Sequence, residues 1–307
     1  MRHLILRVFP ALAVLLGVAG SACSPAGGSV QAGTHAILTV VAVQNFWGSI
    51  AAQLGGSHVD VTSIVTDPNA DPHEYESSAA DARLFARAEY VIVNGAGYDT
   101  WADQLLSAQP ASGRKVFTVA AFLHKKEGDN PHFWYDPSAV FRVVDQITAD
   151  YTSLQPGAAA YFASQAHAFE QKLAPYRQRL AYIQQHFGDT PVASTESIFQ
   201  YMARYLHLNL VTPYEFMQAV AEGNDPPASS EVTFTQQIHA KAFKVLVYNV
   251  QTVTPLTTSI KESAAAQDIP LVAVSETVQP PIATFEEWMD AELDALTNAL
   301  NAAALGH

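Results

Sequence analysis

Apolar and polar positions after residue 35 alternate between the period of a strand and that of a helix. Ala36 to Val43 is a run of apolar, largely β-branched residues, which is typical of a strand buried on both faces. Ser78 to Ala88 instead places Leu84 and Phe85 on one face at helical spacing. Strands that alternate with helices predict a parallel sheet covered by helices, here an N-terminal α/β lobe over residues 35–155. Its further strands are predicted at 59–65, 90–93 and 116–119.

The same alternation returns after a long helical stretch. Apolar residues recur at helical spacing from about residue 158 to 186, a length of about 40 Å at 1.5 Å per residue. Pro175 is expected to bend this helix. We interpret 156–188 as a rigid linking helix that leads to a second α/β lobe over 189–307. That lobe is predicted from strands at 190–194, 208–211, 244–248 and 271–274 and from a closing helix at 285–303.

The first residues have the pattern of a targeting segment. Arg2 and Arg7 precede an apolar stretch, Val8 to Val18. This stretch is too short to cross a bilayer and is typical of a signal peptide. Small residues then lead to Cys23, the single cysteine of the chain, so no intrachain disulfide is possible. The position of Cys23 is similar to that of the lipidated cysteine of bacterial lipoproteins, with ordinary signal cleavage as the alternative. We therefore predict a signal peptide over 1–23 and a flexible, Gly- and Ser-rich tether over 24–34.

The composition is that of a globular protein that does not bind nucleic acid. Hydrophobic residues make up 49% of the chain and charged residues only 15%, which excludes a disordered or fibrous chain. Acidic residues outnumber basic ones by 29 to 16, for a formal charge of −13. Contacts to phosphates require Lys and Arg, so nucleic acid is excluded as a partner.

Two segments, Asp71 to Glu76 and Asn130 to Pro137, each place a histidine directly after a proline. A proline restricts its own backbone and that of the residue before it. His73 and His132 are therefore expected on stiff loops, which suits a metal ligand because little order has to be gained when the ion binds. Two such segments in one chain predict a metal site.

Carboxylates follow two further predicted strands. Glu196 comes directly after one strand and Glu276 after another, while His73 follows a strand of the first lobe. In open α/β sheets, ligands bind beyond the carboxyl ends of the strands. We therefore expect His73, His132, Glu196 and Glu276 to face one cleft between the lobes. The acids that compete with the two glutamates for this role are Glu74, Glu215 and Asp225.

These segments resemble the solute-binding lipoproteins of bacterial zinc, manganese and iron ABC importers. The family pattern of Asp-Pro-His is matched by Asp71 to Glu76, and its Pro-His with Trp and Asp-Pro by Pro131 to Pro137. The stretch Asn94 to Gly97 also fits the family. The resemblance implies the ligands His73, His132, Glu196 and Glu276. The fourth ligand of the family is usually Asp, so Glu276 departs from the pattern by one methylene group.

The resemblance also implies a role and a place for the chain. The expected role is to capture a divalent metal outside the cytoplasmic membrane and to pass it to a permease driven by a cytoplasmic ATPase. The chain is expected to act as a monomer, either periplasmic or anchored to the cell surface through a lipid on Cys23. Carboxylates can chelate through both oxygens, which favours Mn²⁺ or Fe²⁺, while Zn²⁺ accepts the same atoms in a tetrahedral site.

Two other classes of protein remain as alternatives. Two histidines and a carboxylate are also the ligands of non-haem iron oxygenases, and a metal can serve only to stabilise a surface adhesin. Against an enzyme, four protein ligands leave little room for a substrate, and no phosphate loop or His-Glu-x-x-His motif is present. We therefore expect a binding protein and not an enzyme.

Overall fold

A computed structural model describes residues 37–305. The predicted signal peptide, the tether and Cys23 lie outside the described residues, so the predictions for them stay predictions.

The first lobe is built on a parallel sheet whose central strand is buried on both faces. Its strands are arranged in the order β2-β1-β3-β4, and all neighbours are parallel. The strands are β1 (Leu38–Gln44), β2 (Val59–Val65), β3 (Tyr90–Val93) and β4 (Lys115–Thr118). The helices are α1 (Asn45–Gly55), α2 (Ala79–Arg87), α3 (Thr100–Ala108), α4 (Val119–Phe122) and α5 (Pro137–Leu154). The apolar run that predicted β1 is thus confirmed, and each strand ends at the same edge of the sheet.

The linking segment is two helices and not the single rigid helix that the sequence predicted. They are α6 (Ala159–Lys172) and α7 (Ala174–Phe187), separated at Leu173. Pro175 lies in the first turn of α7, where its missing N–H costs nothing, whereas in an unbroken helix its ring would clash with the preceding turn. The break lets α6 pack on α1 and α5 while α7 packs along the last helix of the chain.

The second lobe repeats the architecture of the first. Its strands follow the order β6-β5-β7-β8, again with parallel neighbours. They are β5 (Pro191–Ser194), β6 (Asn209–Leu210), β7 (Leu246–Asn249) and β8 (Leu271–Val274). The helices are α8 (Gln200–Tyr205), α9 (Tyr214–Ala221), α10 (Ala228–His239), α11 (Pro255–Ala266) and α12 (Phe285–Leu305). The predicted class, two parallel α/β lobes, is confirmed. Among the helices within residues 37–305, none has the length and apolar character that a bilayer span requires.

One apolar core runs through both lobes. It extends from Val40 in β1 through Trp134 to Trp288 in α12, all of which are almost fully buried. The lobes are also joined by hydrogen bonds, because the backbone N–H of Phe285 donates to the Ser49 hydroxyl at 2.9 Å. A wide opening of the lobes would expose this core to water, so the fold favours small movements over a large hinge motion.

The start of α5 depends on Asp136, the acidic residue near the end of the second histidine segment. Asp136 caps this helix, since its carboxylate accepts the backbone N–H of Ser138 at 3.0 Å. Replacing Asp136 by Ala is expected to lower the free energy of unfolding by about 1 kcal/mol, whereas Asn, which also caps helices, should change it by only a few tenths of that. Urea unfolding followed by circular dichroism measures both. Equal losses in the two variants would contradict the capping role.

Candidate metal site

His73 lies in the loop that follows β2. Pro72–Glu74 forms a single 3-10 turn, and the carboxylate of Asp71 caps it by accepting the backbone N–H of His73 at 2.9 Å. The side chain of His73 is 24% exposed, so it is the predicted ligand that solvent can reach. The cap and the proline together hold this imidazole on a stiff turn, as the sequence predicted.

His132 is held in one orientation and one tautomer. Its side chain is fully buried, and its Nδ1 lies 2.7 Å from Oδ1 of Asn130. The Asn130 amide nitrogen donates to the carbonyl of Ser197 and to Gln200, so its Oδ1 is the atom that faces the imidazole. An amide oxygen only accepts, which places the proton of His132 on Nδ1. The lone pair of Nε2 is therefore free, and Nε2 is buried without a hydrogen bond.

Glu276 joins the two imidazoles from the other lobe. It follows β8 and is fully buried. Its Oε2 lies 3.3 Å from Nε2 of His73 and 3.9 Å from Nε2 of His132. The hydroxyl of Tyr98, in the loop after β3, donates to the same oxygen at 2.6 Å. One atom from each of His73, His132 and Glu276 lies within 4.8 Å of the others, which is the spacing of ligands around one ion.

Glu196 is adjacent to this group but outside it. The side chain is fully buried at the start of a 3-10 turn, Ser197–Phe199, that follows β5. The amide of Asn249 donates to Glu196 at 2.8 Å and to Glu276 at 2.6 Å, so that a single group links the two carboxylates. Of the four predicted ligands, the structure brings three together and links the fourth to them through two hydrogen bonds of Asn249. The competing acids Glu74, Glu215 and Asp225 are all exposed and lie outside the group.

The buried charges shift one another's protonation. Burial opposes a charge on His73, but the Glu276 carboxylate outweighs burial and raises the pKa of His73 to about 9. Burial also opposes ionisation of Glu276, yet the attraction of His73 and their hydrogen bond lower its pKa. Burial and the charge of Glu276 raise the pKa of Glu196 to about 8. Burial lowers the pKa of His132 to about 3. At neutral pH without metal, the site therefore holds a His73–Glu276 ion pair, a neutral His132 and a protonated Glu196.

The loop after β7 connects ligands of both lobes. The amide oxygen of Gln251 accepts the backbone N–H of Glu276 at 2.6 Å. Its amide nitrogen donates to the carbonyl of Ala70 at 2.7 Å, in the loop that carries His73. A movement of Glu276 is thereby coupled to the first histidine loop by one side chain.

A cavity of about 290 Å³ leads from the surface to His73. Its walls come from both lobes, with Tyr98 and Asn130 on one side and Ser197 and Tyr214 on the other. The acids at its rim are Glu127, Asp129 and Glu222. A cation can approach His73 through this opening, whereas the fully buried His132 lies behind it.

Sequence reasoning missed the groups that surround the ligands. Asn249 ends β7, and Tyr98, Gln251 and Thr252 lie in loops that follow strands, yet none of the four was predicted as part of the site. The signal that could have found Asn249 is its place at the carboxyl end of β7, next to the strands that deliver both glutamates. Neutral polar side chains at strand ends are common, so position alone does not separate them from ordinary loop residues.

Comparison with protein families gives one match over most of the chain. The family described as zinc-uptake complex component A, periplasmic (ZnuA), matches residues 40–299. Among curated proteins, the manganese-binding lipoprotein MntA of Halalkalibacterium halodurans is 29% identical over 141 residues, or 44% of this chain and 46% of that protein. The iron-binding protein YfeA of Yersinia pestis is 26% identical over 167 residues, or 50% and 52% of the two chains. These matches span about half the length of the curated relatives.

Solved structures share the fold at low sequence identity. A Mn-bound periplasmic metal-binding protein from Candidatus Liberibacter asiaticus has a TM-score of 0.72 at 17% identity, over 86% of this chain and 99% of that one. The protein FpvC from Pseudomonas aeruginosa, in complex with Ni²⁺, has a TM-score of 0.70 at 20% identity, over 87% and 98% of the chains. At such identities the likeness establishes the two-lobed architecture alone.

Proposed function

Because this chain belongs to the family of the periplasmic zinc-uptake component A, we propose that it is an extracytoplasmic solute-binding protein that captures a divalent transition metal for an ABC importer. The metal is its cargo and not a resident cofactor. The proposal rests on the convergence of His73, His132 and Glu276 within 4.8 Å, with Nε2 of His132 free to bind. Curated relatives named for manganese or iron binding support the same class of cargo.

The charges of the proposed ligands suit a divalent cation. Two neutral imidazoles and two carboxylates carry a charge of −2, which the ion balances. Glu196 completes the set through Oε2, which gives up its longer bond to Thr252 and turns toward the ion. His73, which solvent reaches, is the first contact of the arriving metal, and the buried His132 holds it in the interior.

The proposed partners are a membrane permease and its cytoplasmic ATPase, to which the protein delivers the metal as a monomer. Lipidation of Cys23 would keep the chain at the outer side of the membrane. The shared core of the two lobes supports release by rearrangement of the ligand loops, with Gln251 transmitting movement between Glu276 and the His73 loop. The chain performs no chemical reaction in this proposal.

Competition titration tests the proposal. Protein freed of metal is expected to bind one Mn²⁺, Fe²⁺ or Zn²⁺ ion per chain, and His132→Ala is expected to lose more than about 100-fold in affinity because a buried ligand is removed. The exposed His239 provides a matched control, and His239→Ala should bind like the wild type. Unchanged affinity in His132→Ala, or no binding by the wild type, would refute the site.

The rival classes predict different behaviour of the metal-free protein. A transport protein has to remain folded after it gives up its ion, and its large core supports this expectation. If removal of the metal by a chelator unfolded the chain, the ion would be a structural one, as in an adhesin that needs it for stability. Circular dichroism of the metal-free protein distinguishes the two cases.

A further inference from the structure

Asn249 lies between the two carboxylates of the metal site. It ends β7, is only 2% exposed, and faces Glu196 and Glu276 with its amide nitrogen. Nδ2 lies 2.8 Å from Oε1 of Glu196 and 2.6 Å from Oε1 of Glu276. An amide NH₂ group has two hydrogens, so one residue can donate to both carboxylates at once.

The orientation of this amide is determined by the backbone. Oδ1 of Asn249 accepts the N–H of Gln251 at 2.9 Å. A flipped amide would lose this bond and would direct its oxygen at two carboxylates, so the flipped state is disfavoured. The hydroxyl of Thr252 adds a donor to Oε2 of Glu196 at 3.2 Å. The loop from 249 to 252 is thus a fixed set of donors for both acids.

The hydrogen bonds divide the four carboxylate oxygens into two kinds. Oε2 of Glu276 faces both imidazoles, while Oε1 of the same group is taken by Asn249. Glu196 likewise has its Oε1 on Asn249, and its other oxygen holds the longer and weaker bond to Thr252. Glu196 therefore has one tightly engaged oxygen and one that is easier to give to an ion. In Glu276 both oxygens accept a bond of 2.6 Å, Oε1 from Asn249 and Oε2 from Tyr98, and Oε2 is distinguished by its position against the two imidazoles.

We propose that Asn249 limits Glu196 and Glu276 to one coordinating oxygen each and thereby makes the site select zinc over manganese. Two imidazole nitrogens and two single oxygens give four ligands, the number that Zn²⁺ takes in a tetrahedral site. Manganese suits oxygen-rich, octahedral sites, and from its own side chains this set of ligands could supply more than four atoms only by chelation through both oxygens of a carboxylate. The inference deepens the proposed function and depends on it.

The inference reverses the preference that the ligand types alone suggested. Two histidines and two glutamates favour manganese or iron only if the carboxylates are free to chelate. The amide of Asn249 restricts that freedom, because bidentate binding by either glutamate would have to draw Oε1 toward the ion and away from the fixed amide, which strains a short, buried hydrogen bond. A buried donor left without its acceptor is costly, and the cost falls on the metals that need more than four ligands.

Replacement of Asn249 by Ala tests the inference by the ratio of two dissociation constants. In competition titration of the full chain with Zn²⁺ and Mn²⁺, the ratio of the two dissociation constants should shift about tenfold away from zinc. Residues that hydrogen-bond to metal ligands have effects of this size on metal affinity. X-ray absorption of the zinc-loaded proteins should give four nitrogen or oxygen neighbours in the wild type and more in Asn249→Ala. Asn298→Ala is the matched control, since that exposed amide donates to a carboxylate, Asp294, far along α12.

The results separate this inference from the proposed function. If both dissociation constants rise by the same factor, Asn249 only supports the site and the selectivity inference is overturned. If the wild type binds no divalent metal, the proposed function itself fails. If Asn249→Ala does not fold, the wild type alone decides: a crystal structure with bound Mn²⁺ in which either glutamate chelates through both oxygens would overturn the inference, and one oxygen from each glutamate would support it.

Discussion

Replacing Glu276 by Gln is expected to lower the affinity for divalent metal by more than about 100-fold, beyond the range typical of residues that only orient ligands. The carboxylate lies against both imidazoles, with Oε2 at 3.3 Å from His73 and 3.9 Å from His132. An amide of the same shape keeps the packing but supplies neither the negative charge nor an oxygen of comparable basicity to the ion. The loss should therefore appear in binding and not in folding.

A second consequence of Glu276→Gln concerns His73. The carboxylate is what raises the pKa of that imidazole to about 9 against the opposing effect of burial. Without the carboxylate, the largest opposing effect to burial is gone, and the pKa of His73 is expected to fall well below 9. Histidine signals followed by NMR over pH measure the change, which a purely structural role of Glu276 would not produce.

The control for this substitution is Glu215→Gln. Glu215 is also a glutamate of the second lobe that competed for the ligand role in the sequence, but it is exposed on α9. The variant Glu215→Gln should bind metal like the wild type. Wild-type affinity in Glu276→Gln, or equal losses in both variants, would contradict the assignment of Glu276 as a ligand.

Metal affinity is expected to fall less steeply between pH 8 and pH 7, and by about 100-fold between pH 7 and pH 6, the slope for release of two protons per ion. Without metal, His73 and Glu196 both carry a proton in this range, because their pKa values are raised to about 9 and about 8. Binding requires a neutral His73 and an ionised Glu196, so both protons leave. Lowering the pH therefore favours the free protein, and raising it through both pKa values removes the dependence.

Calorimetric titration counts these protons directly. The binding enthalpy measured in buffers of different ionisation enthalpy should change with a slope of about two protons per metal at pH 7. Glu196→Gln should release one proton fewer, because the amide does not titrate. A slope near zero in the wild type would contradict the protonation states that the buried ion pair implies. His132 should not contribute, since burial keeps it neutral.

Strands and helices with a clear apolar pattern could be predicted from the sequence. Elements whose bounds depend on contacts between distant residues could not. The strands β2, β3 and β8 were predicted at the bounds that the structure shows. β3 is a continuous apolar run because it is buried along its whole length, whereas β2 is an edge strand of mixed polarity that is only partly buried. The helices α3 and α9 were missed, since each is short and has few fully buried residues. The division of the linking segment at Leu173 was foreseen only as a bend at Pro175.

For the site, the sequence by itself predicted the candidate ligands that stiff local segments present. Proline before His73 and before His132, and the caps at Asp71 and Asp136, are properties of a few adjacent residues, so they can be read without a fold. The strand-end rule then placed Glu196 and Glu276 on the same side of their sheet. These features are local or follow from the direction of parallel strands.

Only the tertiary structure decided how those groups meet. It placed Glu276 against both imidazoles, and it put Asn249 between Glu196 and Glu276, so that this amide links the two acids. These distances depend on how β5, β7 and β8 lie side by side and on how the second lobe faces the first, and both follow from packing between residues far apart in the chain. Charge shifts and the count of available oxygens arise from that proximity, because electrostatic and hydrogen-bond energies depend on distance and not on order in the sequence.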